Sequence, residues 1–236
     1  MKVLITGGAG FLGQRLAPVA GHLPRAWAQA QGRVHQLGGC VWRQVADIVQ
    51  DATALNPQSS YGTQKAIGEL LLNDFSRRGF VDGRVLRLPT ISVRPGKPNK
   101  AASSFASGII RKPLNGESLI CPVLPEAGLW LLSPQRAIES LIAGHELAAE
   151  SLGNSRTVNL PGLSVSVGEM VAVLGKVAGP EAVSRIIFAP DPAVERIVNG
   201  WPAAWDMTRA KALGLAADAD FESIVRAYLE EVASMA

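Results

Sequence analysis

Cysteine is nearly absent: Cys40 and Cys121 are the two in 236 residues. They stand far apart and without metal-ligand spacing, which argues against a disulfide scaffold and for a reduced, cytoplasmic protein. Long apolar runs are missing as well. Although 47% of the residues are hydrophobic, no run approaches the roughly 20 residues of a membrane span. The start, Met1-Lys2-Val3-Leu4-Ile5-Thr6, enters a strand pattern directly and lacks a signal peptide's layout. Charge of one sign is not concentrated either. The net charge is +3, and the 23 lysines and arginines are scattered, with no block beyond Arg77-Arg78. That balance suggests anionic small ligands and gives no case for a nucleic-acid partner. Internal repeats and low-complexity tracts are missing too.

What is present is enough chain to bury a sizeable core, as one large domain or one and a half. Val3-Leu4-Ile5 reads as a buried parallel strand, and Thr6-Gly7-Gly8-Ala9-Gly10-Phe11-Leu12-Gly13 comes directly after it. Glycines at 7, 10 and 13 allow a tight turn, close approach of a pyrophosphate to the backbone, and close packing of the next helix on the strand. Directly after a strand, this pattern predicts a dinucleotide site.

The stretch that organises the rest is Tyr61-Gly62-Thr63-Gln64-Lys65. Its Tyr and Lys are four apart and share one face of a helix that starts near Ser59 or Ser60 and stops at Arg77-Arg78-Gly79. A phenol so placed can move a proton to or from a hydroxyl or carbonyl, and an adjacent ammonium favours the phenolate. Taken alone, the spacing better describes a half-buried helix tyrosine and a solvated lysine. Ile67, Leu70, Leu71 and Phe75 are expected to form the buried face of this helix.

Beyond it, residues 84–89 read as a strand. Ser92 to Lys112 reads as a loop past the strand's C-terminal end, where open α/β sheets bind ligands. Arg94, Lys97, Asn99, Lys100, Ser103 and Ser104 could there hold an anionic, hydroxylated substrate, and a plain solvated loop is an equal alternative. Further strands are expected at 129–132, 157–160 and 186–188. Helices are expected from Pro134 to about Glu150, from Ser166 or Val167 to Val177 with a stop at Gly179-Pro180, from Asp206 to Leu213 and from Phe221 to Val232. His145 reads as structural, and Trp201 and Trp205 as packing aromatics. The C-terminal half shows no metal cluster and no Ser–His–Asp pattern.

TGGAGFLG, the YxxxK helix and a strand ending in Arg-Leu-Pro together resemble the extended short-chain dehydrogenase/reductase family, the NAD-dependent epimerase/dehydratase group. The runs RLPTISVRPGKPNKAASSFASGII, WLLSPQRA, VNLPGLSVSVGEM and DMTRAKALG are similar to a subgroup of that family acting on small sugar acids. The resemblance covers about residues 1–17 and 45–236. It implies an α/β fold, a Rossmann-like doubly wound parallel sheet with its middle strands missing. Residues 1–92 would form an incomplete dinucleotide-binding domain. Residues 93–236 would be mainly a smaller α+β substrate lobe, with about 129–160 returning to the sheet. It also implies NAD as cofactor, without deciding against NADP, since the ribose-binding acid expected some 20 positions past the glycines is absent. Gly7, Gly10 and Gly13, with the amides of Phe11 and Leu12, would bind the pyrophosphate. Tyr61 would be the acid/base, Lys65 would hold the nicotinamide ribose, and Pro89, Thr90 and Ile91 would line the nicotinamide. Two copies would pair through the YxxxK helix. An epimerase or dehydratase using NAD transiently shares every one of these motifs.

Between Gly13 and Tyr61 one βα unit of about 30 residues would nearly fill the space, where the family needs several. The family's third catalytic residue, a serine about two dozen positions before the tyrosine, falls where Gln36, Leu37 and Gly38 stand. A choice of codons for Val34 to Gln44, read from the second base, gives Phe-Thr-Ser-Ser-Val-Ala-Val-Phe-Gly-Gly, the missing strand-to-serine segment. Residues 19–44 are therefore expected to be an out-of-frame translation, preceded by an internal deletion, with the frame restored near Val45. Sequencing the coding DNA over codons 15–45 checks this. The expected result is a one-base shift that yields Ser-Ser-x-Ala-Val-Phe-Gly, and codons that cannot be so shifted overturn it.

Overall fold

A computed structural model describes residues 48–57, 59–94 and 103–235. The glycine fingerprint at 7–13, the stretch expected to be out of frame, and Lys97, Asn99 and Lys100 lie outside the described residues.

The first helix, α1 (Ser60–Arg77), begins where a serine can cap it. Ser59 is extended, and its hydroxyl accepts from the Gly62 amide at 3.0 Å. It ends at Arg78, and Gly79 comes next at φ 73°, the left-handed turn that glycine adopts without a Cβ clash. Two short strands succeed it, β1 (Val85–Arg87) and β2 (Thr90–Ile91). Pro89 separates them, having no N–H to give a ladder. Helix α2 (Ser104–Leu114), β3 (Leu119–Cys121), β4 (Gly128–Leu132) and α3 (Pro134–Glu146) are next in the chain. Then come a 3-10 turn at Ala149–Leu152, β5 (Thr157–Asn159), β6 (Leu163–Ser166) and α4 (Val167–Ser184). The chain finishes with β7 (Ile186–Phe188), α5 (Pro192–Val198), α6 (Thr208–Ala212) and α7 (Phe221–Met235).

The fold is α/β. β1 pairs parallel with β5 (Leu86 opposite Val158), and β2 pairs parallel with β4 (Thr90 opposite Leu131). β6 runs antiparallel on the other side of β4, and β3 pairs parallel with β7. Leu86, Leu88, Ile91, Leu141 and Val158 form one core beneath α3. Ile109, Ile110, Leu131, Met170, Leu174 and Val225 form a second among α2, α4 and α7. Trp130 stacks on Trp205, ring centroids 6.1 Å apart, and with Val49 makes a third.

Several expectations need correction. The face of α1 expected to be buried is the exposed one: Ile67, Leu70, Leu71 and Phe75 are 52%, 64%, 53% and 44% exposed. The helix instead docks through Gly62, Ala66, Glu69 and Ser76, a stripe of small and polar residues at helical spacing that permits close approach and hydrogen bonding. The stretch read as a loop to Lys112 contains α2. Phe105, Ala106, Ile109 and Ile110 give it a buried helical face that the surrounding serines disguise. α4 does not stop at Gly179-Pro180. It breaks there, with Gly179 at φ 81°, and resumes to Ser184. α3 ends at Glu146, and the 3-10 turn lies just beyond it. The strand expected over 84–89 is shorter, Val85–Arg87, and β2, β3, β6 and α5 were not foreseen.

One buried ion pair joins α1 to the sheet. Arg87 on β1 donates to both Glu69 oxygens, Nε at 3.2 Å and Nη2 in a shorter bond. Its Nη1 donates to Asn159 Oδ1 on β5 at 3.1 Å. The Arg87 and Glu69 side chains are only 3% and 5% exposed. Removing one partner from such a pair leaves the other charged and buried, so Glu69→Gln should cost about 3–5 kcal/mol. Glu69→Leu combined with Arg87→Met should recover most of it. Denaturant unfolding measures both, and a single-variant loss below about 1 kcal/mol would contradict a tightly held buried pair.

Candidate functional site

Tyr61 lies in the first turn of α1 and is 48% exposed. Lys65, one turn on, holds its ammonium 4.8 Å from the centroid of the Tyr61 ring, a separation at which a cation is attracted to the ring face. The pair expected from the sequence is therefore in mutual contact.

Three hydrogen-bonded ties fix how α1 lies along the sheet. Glu69 meets Arg87. Asn73 Nδ2 donates to Thr157 Oγ1 at 3.0 Å, and Thr157 is paired with Val85. The Gly83 amide donates to Ser76 Oγ at 3.1 Å. Going up the helix means going down the strand, so the two run antiparallel. A helix rises about 1.5 Å per residue and a strand about 3.3 Å, so four helical residues match about two strand residues. The step from Glu69 opposite Arg87 to Asn73 opposite Val85 obeys this rule. Carried on past Arg87, the same count would bring Lys65 level with Pro89 and Tyr61 with Ile91. The resemblance implied that Pro89, Thr90 and Ile91 line the nicotinamide; the three residues are buried, Ile91 to 2% exposure.

Past Ile91 the chain is clamped by α2. Ser92 Oγ donates to the Ala106 carbonyl at 3.0 Å, the Arg94 amide donates to Ser107 Oγ at 3.0 Å, and Arg111 Nη1 donates to the Arg94 carbonyl at 2.8 Å. Of the residues expected to meet substrate, Arg94 is half-buried at this exit. Ser103 and Ser104 sit at the start of α2, one turn before Ser107 and also half-buried. The sequence did not single out Glu69, which holds α1 in place, or Arg111, which is 8% exposed behind Arg94. The signal for Arg111 was the complete lack of acids between Asp82 and Glu117. Among the described residues no group of three or more His, Cys, Asp or Glu could hold a metal, and no helix is long and apolar enough to cross a membrane.

With this geometry in view, the chain can be set beside known proteins. No family model matches it. It is 60% identical over 211 residues to a D-erythronate dehydrogenase from Cupriavidus necator, covering 89% of this chain and 63% of that protein. It is 48% identical over 187 residues to a D-erythronate dehydrogenase from Haemophilus influenzae, covering 79% of this chain and 59% of that one. The chain thus spans about three-fifths of the length of the curated relatives it matches. Among solved structures, a nucleoside-diphosphate-sugar epimerase from Agrobacterium tumefaciens superposes with a TM-score of 0.78 at 43% identity, covering 81% of this chain and 56% of that one. The Rossmann-like α/β fold expected from the sequence is the fold of these relatives.

His145, on α3, stands apart from this site. Burial first, and the nearby Arg84 charge second, hold its pKa below the ordinary histidine value. Such an imidazole takes its proton more readily in the unfolded chain. Stability should therefore be full at neutral pH and fall as pH drops through about 6.5, the unfolded value. His145→Gln should flatten the stability profile between about pH 5 and 7, measured by thermal melting across that range. An unchanged slope would show that His145 does not set it.

Proposed function

We propose that this chain, a relative of the D-erythronate dehydrogenases, is by descent an oxidoreductase that removes hydride from a carbon bearing a hydroxyl in a small sugar acid such as D-erythronate. The observation that supports the reading is the Tyr61–Lys65 contact on a helix tied through Glu69 and Asn73 to β1 and β5, a register that, carried on, would set the pair beside the buried Pro89–Ile91 segment past the C-terminal end of a parallel strand. That is where ligands bind in open α/β sheets.

The residues present suit a nicotinamide: an apolar, buried strand exit with a lysine one helical turn from a tyrosine. A nicotinamide cofactor, when bound, supplies the acceptor for the hydride, and NAD is the form the reading favours, with NADP open. Pro89, Thr90 and Ile91 would line its ring, and Lys65 would hold the ribose. Gly7, Gly10 and Gly13, with the amides of Phe11 and Leu12, would take the pyrophosphate. Tyr61 accepts the hydroxyl proton at its phenolic oxygen as the C–H bond breaks, and the positive charge of Lys65 favours the phenolate that does so. The product is the corresponding oxo acid. The exposed apolar face of α1, with Ile67, Leu70, Leu71 and Phe75, supports pairing of two copies through this helix. The same reading makes the chain a cytoplasmic enzyme of carbohydrate metabolism.

A second reading has its own observation. No serine precedes Ser59 anywhere in the chain, so the group that would face Tyr61 and steady the developing charge is missing. Losing such a donor typically costs about 100- to 1,000-fold in rate. The expected outcome is therefore weak or no turnover, from an impaired remnant of the enzyme. NADH formation from D-erythronate and NAD, with wild type and Tyr61→Phe, measures it. A trace rate at most is expected, abolished in Tyr61→Phe. A brisk rate would refute the impaired reading, and a rate unaffected by Tyr61→Phe would refute the role of the tyrosine. Conversion of a nucleotide sugar without NADH release would point instead to an epimerase or dehydratase.

A further inference from the structure

From Gly83 to Gly116 the sequence carries seven basic residues and no acidic one. Among the described residues, two of these find carboxylates, Arg84 at Asp82 and Arg87 at Glu69. The excess of positive charge falls on the chain beyond Arg87, above all on Arg94 and Arg111. Arg111 is 8% exposed, yet among the described residues it commits one of the five N–H donors of a guanidinium, to the Arg94 carbonyl. Among the same residues no carboxylate stands within ion-pair distance of either arginine. The residues at 95–102 contain no acid that could supply one.

Burial of a charge without a counter-ion is unfavourable, and a second guanidinium held against the same residue's carbonyl adds to the cost. Both effects are visible at Arg94, where burial first and the Arg111 charge second hold the pKa below the usual arginine value. An anion between the two would relieve desolvation and repulsion together. The position suits a reacting ligand. Arg94 is three residues beyond Ile91, at the exit of β2, and its backbone is fixed at both ends, its amide on Ser107 and its carbonyl on Arg111.

We propose that Arg94 and Arg111 form an anion subsite that receives the carboxylate of the substrate. The choice of a small hydroxy acid as ligand rests on the function proposed above, while the subsite itself rests on the two arginines. Guanidinium forks match a carboxylate in bidentate geometry. The other anion in such a reaction, the cofactor's pyrophosphate, would on the same reading go to the glycine-rich segment at 7–13.

Isothermal titration of the full chain with D-erythronate, with uncharged erythritol and with NADH tests this, in wild type and in Arg94→Gln, Arg111→Gln and Arg111→Lys. Each glutamine variant should weaken D-erythronate by about tenfold or more, Arg111→Lys should restore part of the loss, and the affinities for erythritol and NADH should not move. Arg94 is half-exposed, so Arg94→Gln carries the test if Arg111→Gln fails to fold. Unchanged D-erythronate affinity in the variants, or no binding of D-erythronate by wild type, would overturn the proposal. A loss of NADH affinity instead would assign the arginines to the cofactor and overturn it as well. Arginine-dependent D-erythronate binding by a chain that takes up no NADH would leave the subsite standing and remove the dehydrogenase reading alone.

Discussion

The buried pair of Glu69 and Arg87 sets the position of everything else near the site. It joins the helix that carries Tyr61 and Lys65 to the strand that leads into Pro89, Thr90 and Ile91, and through Asn159 it reaches the neighbouring strand. Helices in α/β folds ordinarily settle on a sheet through apolar side chains, which tolerate small slips in register. A bidentate ion pair in a dry interface does not, because a slip of one residue would strand two charges.

The approach to that helix is held just as firmly. Asp51 accepts from the Asn159 amide at 3.0 Å and from Arg209 at 3.1 Å, and Arg209 also donates to the carbonyls of Leu152 and Ser155 at 2.8 Å each. Val49 bridges to Trp205, which stacks on Trp130. The residues immediately before α1 are thus tied to α6 and to β5, both far along the chain. At the other end of the site, α2 locks the exit of β2 through Ser92, Arg94 and Arg111. The pair on α1 sits between two anchored segments.

What could be read from the sequence was local. The Ser59 cap and the Arg78-Gly79 stop of α1 are short-range signals, and both ends were foreseen. So were β4, β5 and β7, each a compact apolar run. The docking face of α1 was misread because a periodicity count rewards Ile67, Leu70, Leu71 and Phe75, whereas the sheet receives Gly62, Ala66, Glu69 and Ser76. α2 was hidden by serines, of which Ser107 bonds the backbone at the β2 exit. Glu69 finds Arg87 across 18 residues and Asn73 finds Thr157 across 84, and no local pattern announces either. The absence of acids between Asp82 and Glu117 was readable from the start. It gained meaning only once α2 placed Arg111 behind Arg94.

The proposed chemistry requires that a nicotinamide ring, when bound, lie against the exit of β2. The most direct test is a nuclear Overhauser spectrum of the chain with NADH, recorded on protein carrying labelled isoleucine methyls, with Ile91→Val assigning the relevant signal. Cross-peaks between the nicotinamide protons and the Ile91 methyl are predicted. Bound NADH whose nicotinamide shows contacts to other isoleucines and none to Ile91 would contradict that placement.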